Sequence, residues 1–218
     1  MSRSGALITF EGIDGSGKST QAALLRKFLS DKGYSFEFVR EPGGTGVSEA
    51  IRKILLDKRH GAMDSRTELL LFLAARAELI GEVIVPAIAA GKIVIADRFS
   101  DSTFAYQIYG RRLPERTVRQ INAFVTDKIK PDLTFLVDLD VGRARQRLKQ
   151  QKDRMESAEM AFHRRVRAGF LEIAGAEPNR LKLLDGRCPP DEIWQEVKEM
   201  TLRFLHRRKI EPHKKSSR

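Results

Sequence analysis

Residues 12–19 read Gly12-Ile13-Asp14-Gly15-Ser16-Gly17-Lys18-Ser19, which fills the pattern G-x-x-x-x-G-K-[ST]. Few short motifs constrain a chain more. A buried strand has to end, the backbone has to turn through glycines, and a helix has to begin, all inside one short stretch. The flanks comply: the apolar run 6–10 precedes the loop, and residues 20–29 continue it with helical apolar spacing. In such a loop successive backbone N–H groups turn inward around phosphate oxygens while the helix aims its positive end at them. Lys18 adds a mobile charge, and the Ser19 hydroxyl suits a divalent cation. Gly12, Ile13, Asp14, Gly15, Ser16, Gly17, Lys18, Ser19 and Thr20 are therefore the expected triphosphate-binding residues. A glycine-rich turn without a ligand is the competing reading.

Beyond the loop, strand patterns alternate with helix patterns to the end of the chain. Strands are expected near 36–39, 92–96, 133–139 and 180–186. Helices are expected over 47–56, from Ser65 to about Gly91 with a kink at Pro86, over 114–128, around 162–167 and from Pro190. Ser65-Arg66-Thr67-Glu68 matches a capping box at the start of the second of these. Such alternation implies an α/β fold of the P-loop NTP hydrolase type: a parallel sheet of about five strands, helices on both faces, and a short mobile lid. With 218 residues and 41% hydrophobic content, one core is expected, with a single domain over 1–205 and a basic tail over 206–218.

No window approaches 18 uninterrupted apolar residues, and the first strand arrives too early for a signal peptide. A lone cysteine, Cys188, cannot form an internal disulfide and reads as a small structural residue. A cytoplasmic protein without membrane contact is expected. The net charge of +11 is compatible with nucleic acid or with phosphorylated substrates. About half of the excess lies in the last residues, read as a solvated helix end, with nucleic-acid binding left open there.

Ligands of such sheets bind at the carboxyl ends of strands, so the residues that end strands are candidates. Arg40-Glu41-Pro42-Gly43-Gly44-Thr45 follows the second strand, and Asp97-Arg98 the third. Asp97 is expected, with Ser19, to orient a magnesium ion, and Arg98 to hold a second anion. Phe72 and Arg76, one turn apart, are either core and surface residues or a stacking platform and a base-edge donor. Ser102, Thr103, Tyr106 and Gln107 either read a base or phosphate or form an ordinary polar helix face. The basic run Arg143, Arg145, Arg147, Lys149, Lys152, Arg154 is a solvated helix surface or a lid over about 147–157 that closes on phosphates.

Taken in order, Phe10-Glu11-Gly12 through Gln21, Arg40-Glu41-Pro42-Gly43-Gly44-Thr45, Asp97-Arg98-Phe99 with Ala105-Tyr106-Gln107, Asp153-Arg154-Met155-Glu156 and Phe162-His163-Arg164-Arg165-Val166 resemble the bacterial thymidylate kinases, within the P-loop nucleoside monophosphate kinases. The resemblance runs from about residue 5 to 205. It implies transfer of the ATP γ-phosphoryl group to deoxythymidine monophosphate, with magnesium, on the route to dTTP for DNA synthesis. It also implies a homodimer packed through the helix that starts near Ser65. Lys18, Asp14, Arg98 and Arg154 would be catalytic. Phe72 would stack on thymine, Arg76 would donate to a base carbonyl, and Gln107 would lie near the base. Glu41 and Asp14 would face sugar and phosphate, Tyr106 the sugar, and Ser102 and Thr103 the base or its phosphate.

Two departures stand out. One branch of the family carries an arginine where this chain has Gly15, so the transition-state cation is expected from the lid: Arg154, with Arg147, Lys149 or Lys152 as substitutes. Ile108 stands where glycine commonly follows the Tyr-Gln pair. Another nucleoside monophosphate kinase, a deoxynucleoside kinase and a DNA-bound ATPase are the alternative functions. No guanine-recognition signature of the Asn/Thr-Lys-x-Asp type is present.

Overall fold

The computed structural model describes residues 5–148 and 153–212. Lys149, Lys152 and the tail beyond residue 212 lie outside the described residues.

Among these residues the chain runs β1 (Ala6–Glu11), α1 (Lys18–Asp31), β2 (Phe36–Arg40), α2 (Gly46–Leu56), a short 3-10 turn (Lys58–His60), and α3 (Ser65–Leu79). A π-helical turn (Ile80–Ile84) leads into α4 (Val85–Ala89), followed by β3 (Ile93–Asp97) and α5 (Ser100–Thr103). A second π-helical stretch (Phe104–Gly110) extends α5. The chain then continues with α6 (Glu115–Val125), β4 (Leu133–Asp138), α7 (Val141–Arg147), α8 (Met160–Ala176), β5 (Leu181–Asp185) and α9 (Pro190–Arg208). The five strands form one parallel sheet in the order β2-β3-β1-β4-β5.

The alternation of side chains along β1 explains the two layers. Ala6, Ile8 and Phe10 face one side, where Leu25, Phe28 and Leu29 of α1 meet Ile193, Val197 and Phe204 of α9. Phe10 stacks on Phe135 of β4 with ring centroids 5.2 Å apart. Trp194 belongs to this layer, edge-on to Phe28. Leu7 faces the other side, against Leu79, Ile84 and Ile88. A strand buried on both faces must be apolar almost throughout, and β1 is fully buried along its length. Glu11 shares Leu7's parity and is carried into the interior at the strand's last position.

Register then assembles the site. Phe10 of β1 and Arg40 of β2 both lie opposite Asp97 of β3. The ends of three strands thus form one row, and the loops that follow them open at the same edge.

Two sequence expectations are corrected. The cap of α3 is Asp64, whose carboxylate accepts from the Arg66 N–H at 2.9 Å. Ser65 and Glu68 therefore make no capping box. Aspartate caps as well as serine does, and Glu68 is instead drawn inside by cations. At the other end, α9 continues through Arg208, which pairs with Asp132 at 3.3 Å, so residues 206–208 belong to the folded helix. Ile108 packs in a satellite cluster with Leu69, Leu73 and Val118, on the side of its helical stretch away from Tyr106. Among the described residues no helix is long and apolar enough to cross a membrane.

Candidate active site

After Glu11 the backbone turns through Gly12, Gly15 and Gly17, whose φ angles are 137°, 81° and 108°. These left-handed values suit glycine and strain other residues. Gly15 also abuts the Ala144 carbonyl of α7 so closely that a Cβ would collide with it. The arginine carried here by one branch has no room in this chain. Helix α1 begins at Lys18 without a side-chain cap, which leaves its first N–H groups for a ligand. Among the described residues the buried Ser16 hydroxyl also has no hydrogen-bond partner. Both observations suit an anion seated in the loop.

Asp14 is the electrostatic centre. It pairs with Lys18 Nζ at 3.1 Å and Arg98 Nη2 at 2.5 Å, and accepts from the Tyr106 hydroxyl at 3.3 Å. Burial pushes its carboxyl up, but Arg98 and Lys18 outweigh burial and hold it well below the usual carboxylate range. Asp14 is thus a fixed negative charge that keeps two cations side by side. The same pairing raises Arg98 despite its burial, whereas burial pushes the Tyr106 phenol up.

Arg98 has a φ of 75°, a strained conformation for a non-glycine residue just past a strand end. Its Nη1 donates to the Gly12 carbonyl and to Ser102 Oγ, both at 3.0 Å. Underneath, Glu11 accepts from the N–H groups of Phe99 (2.8 Å) and Ser102 (3.3 Å) and from Ser102 Oγ (2.6 Å). Glu11 therefore ties the end of β1 to the turn that presents Arg98. Burial, with the nearby Asp101 charge, pushes its carboxyl up to about 8, against the opposing pull of these hydrogen bonds and Arg98.

Ser19 Oγ donates to Asp97 Oδ2 at 2.6 Å. The expected metal pair is therefore together, a hydroxyl and a carboxylate at the mouth of the cleft. Hard oxygen donors in this number suit magnesium, which keeps several waters and takes few protein ligands. Among the described residues no group of three or more His, Cys, Asp or Glu side chains is arranged to hold a metal.

Beside this cluster lies a cavity of about 320 Å³. Asp14, Lys18, Ser19, Asp97 and Arg98 line its phosphate end. Glu41, Phe72, Arg76, Ser102, Thr103, Tyr106 and Gln107 line the remainder, so the structure brings the sequence-chosen residues into one space. Arg76 is no surface residue. It is buried, chelated by Glu41 at 2.8 Å and 2.5 Å, with Nη1 donating to Thr103 Oγ1 (2.7 Å) and Asn122 Oδ1 (2.8 Å). Burial pushes the Glu41 carboxyl up, and Arg76 pulls it back only in part. A second groove runs along the outer side of the loop, from Gly15 to Gln21 and across to Arg147, Gly186 and Cys188.

Arg154 is the sequence-chosen residue that this structure does not bring to the phosphate loop. Its guanidinium is buried away from the phosphate loop, paired with Glu68 Oε2 at 2.7 Å and donating to the Leu55 carbonyl at 2.6 Å. Only its neighbours Asp153 and Met155 reach the cavity. Arg147, the substitute, lies on the loop's groove, with Nη2 donating to the Gly186 carbonyl at 3.1 Å. Sequence reasoning gave Glu11, Glu68 and Asn122 no part in the site. It also missed Arg52, which lines the cavity and donates to the Pro42 carbonyl at 2.7 Å. A charged residue in a continuous apolar strand was the available signal for Glu11.

A family model described as thymidylate kinase matches residues 10–197. A thymidylate kinase of Pelobacter propionicus is 45% identical over 201 residues, covering 88% of this chain and 92% of that protein. One from Kosmotoga olearia is 46% identical over 192 residues, covering 87% and 92%. The crystal structure of thymidylate kinase from Ehrlichia chaffeensis superposes with a TM-score of 0.74 at 38% identity, covering 91% of this chain and 98% of that one.

The Glu11 environment generates a pH prediction. A carboxyl raised from 4.5 to about 8 on folding favours the native state when protonated. Its contribution is full below pH 4.5 and is lost as pH rises through about 8. Glu11→Gln removes this titration, so its melting temperature should gain on wild type as pH rises from about 5 to 8.5. A difference that is flat with pH contradicts the assignment.

Proposed function

From the premise that this chain belongs to the thymidylate kinase family, we infer that it transfers a phosphoryl group from ATP to deoxythymidine monophosphate, giving ADP and the diphosphate. The observation that carries this reading is the pairing of Lys18 and Arg98 on Asp14, with the triphosphate-type loop on one side and a base-sized cavity on the other.

In this reading the two nucleotides enter from opposite sides. ATP phosphates occupy the loop of Gly12, Gly15, Ser16, Gly17, Lys18, Ser19 and Thr20, and its nucleoside lies along the groove toward Gly186 and Cys188. The acceptor places its base between Phe72 and the Arg76/Gln107 pair, its sugar near Tyr106 and Glu41, and its phosphate at Arg98. Ser102 and Thr103 act one step back: Ser102 holds Arg98, and Thr103 holds Arg76.

The nucleophile is a phosphate oxygen that is already ionised, so no strong base is required. The difficulty is bringing two polyanions into line. Lys18 and Arg98 sit on one carboxylate and therefore cannot drift apart, which preorganises positive charge where the transferred group develops its own. Asp14, held ionised, is a positioning group and no proton donor. Ser19 and Asp97 would hold magnesium, which supplies charge neutralisation across the phosphates when bound. Arg147 takes the role of lid cation that the sequence had given first to Arg154.

A homodimer is proposed as well. Val47 and Ile54 of α2 and Leu70 of α3 are apolar and about half exposed, and α2 packs on α3, so the two helices offer one apolar surface for a second copy. Sedimentation should give twice the chain mass, and a monomer at micromolar concentration contradicts the pairing.

The activity is tested by incubating the protein with Mg-ATP and each nucleoside monophosphate separately while following ADP. Formation of ADP and diphosphate should require the thymidine compound. Preference for a purine monophosphate would discard the base-site roles, and ADP release independent of any acceptor would discard the kinase reading.

A further inference from the structure

Glu68 is wholly buried on α3, one turn before Phe72, and touches no part of the cavity. Yet it gathers three side chains from distant parts of the chain. Its Oε1 accepts from Gln107 Nε2 at 3.1 Å and Arg111 Nε at 2.9 Å. Its Oε2 accepts from Arg111 Nη2 at 2.8 Å and pairs with Arg154 Nη1 at 2.7 Å. Arg111 is fixed further by lying over the Phe162 ring, 4.4 Å from its centroid.

The chemistry of this contact has a directional consequence. An amide can present its NH₂ or its oxygen to a neighbour, but a carboxylate in an ion pair only accepts. Gln107 must therefore turn its NH₂ to Glu68, and its Oε1 is left for the cavity that the residue lines. Among the described residues the side-chain hydrogen bond that Gln107 makes runs through its NH₂ to Glu68. Nearby, Arg76 has engaged four of its five N–H groups and retains one donor. The cavity thus offers a donor and an acceptor: Arg76 N–H and Gln107 oxygen. A pyrimidine with a 4-oxo group and an imide N3–H presents the complementary pair. A 4-aminopyrimidine presents the reverse, a donor at C4 and an acceptor at N3.

We propose that Glu68 is a specificity-determining positioning residue: by fixing the Gln107 amide with its oxygen toward the cavity, it selects an imide N–H and rejects a 4-amino base. The inference rests on the acceptor reading given above and deepens it. It adds that uracil and thymine are not distinguished at this edge, because both carry the same imide. It also accounts for a buried charge that the phosphoryl transfer itself does not use.

The test compares kcat/KM for deoxythymidine and deoxycytidine monophosphates in wild type and Glu68→Gln. A glutamine at 68 can keep its oxygen toward the arginines and turn an NH₂ to Gln107, which then rotates and shows its own NH₂ to the base. The thymidine-to-cytidine ratio should fall about tenfold or more, the range expected when one buried hydrogen bond is mismatched, with the KM for ATP unchanged. A ratio that stays constant while activity or melting temperature falls means that Glu68 is only structural, and overturns the proposal. If the variant does not fold, the wild-type protein decides with N3-methyl-deoxythymidine monophosphate, which has no imide hydrogen. Binding weakened about tenfold or more supports the proposal, and equal binding overturns it. Absence of turnover of deoxythymidine monophosphate by wild type overturns the activity, and this inference with it. A constant ratio in Glu68→Gln overturns this inference alone.

Discussion

One carboxylate holds the catalytic edge of this sheet together. Asp14 lies between Lys18, four residues on at the start of α1, and Arg98, which follows the end of another strand. Removing three charged groups from water is costly unless they satisfy one another. Here they do, and in the proposed reading the geometry that satisfies them is the one that two phosphates need. The remaining features serve this contact. The glycines of the loop let Asp14 and Lys18 face the same space. The β1–β3 register sets Phe10 beside Asp97, and the strained turn at Arg98 is pinned from below by Glu11.

A second buried network lies at the other end of the cavity. Glu41 orients Arg76, and Glu68 orients Gln107. In both cases a carboxylate inside the protein dictates which face of a polar side chain meets the ligand. In the proposed reading, phosphate recognition and base recognition use the same device: a carboxylate that orients a donor or an acceptor toward the ligand. Arg154 is drawn into the same network. Its charge is taken up by Glu68 of α3 and its Nε by the Leu55 carbonyl of α2, which together tie the chain that follows residue 152 to both helices.

The sheet, the loop and the strand-end pair Asp97-Arg98 were legible in the sequence because each is written in contiguous residues: an apolar run, a glycine spacing, a charge at the end of a strand. Phe72 and Arg76 were legible as a pair because helical spacing puts them on one face, but spacing left open whether that face was solvent, core or ligand. Glu68 was read as half of a capping box, since the same three-residue spacing fits both a cap and an inward-facing helix position. What turned it inward was Arg111 and Arg154, both far away in sequence. The surroundings of Arg154 were not legible for the same reason: a basic run looks alike whether its charges face phosphate or a buried carboxylate. Pairings between distant residues are decided by the packing of whole elements, and no local pattern records them.

The central claim is that Asp14 preorganises Lys18 and Arg98, and the most direct measurement is the turnover of Asp14→Asn at saturating ATP and deoxythymidine monophosphate, with its melting temperature measured alongside. Asparagine keeps the size and removes the charge, so both cations lose their common anchor. With the fold retained, kcat should fall about a hundredfold, the scale expected when reacting groups are held loosely. A folded variant with wild-type kcat would contradict the account.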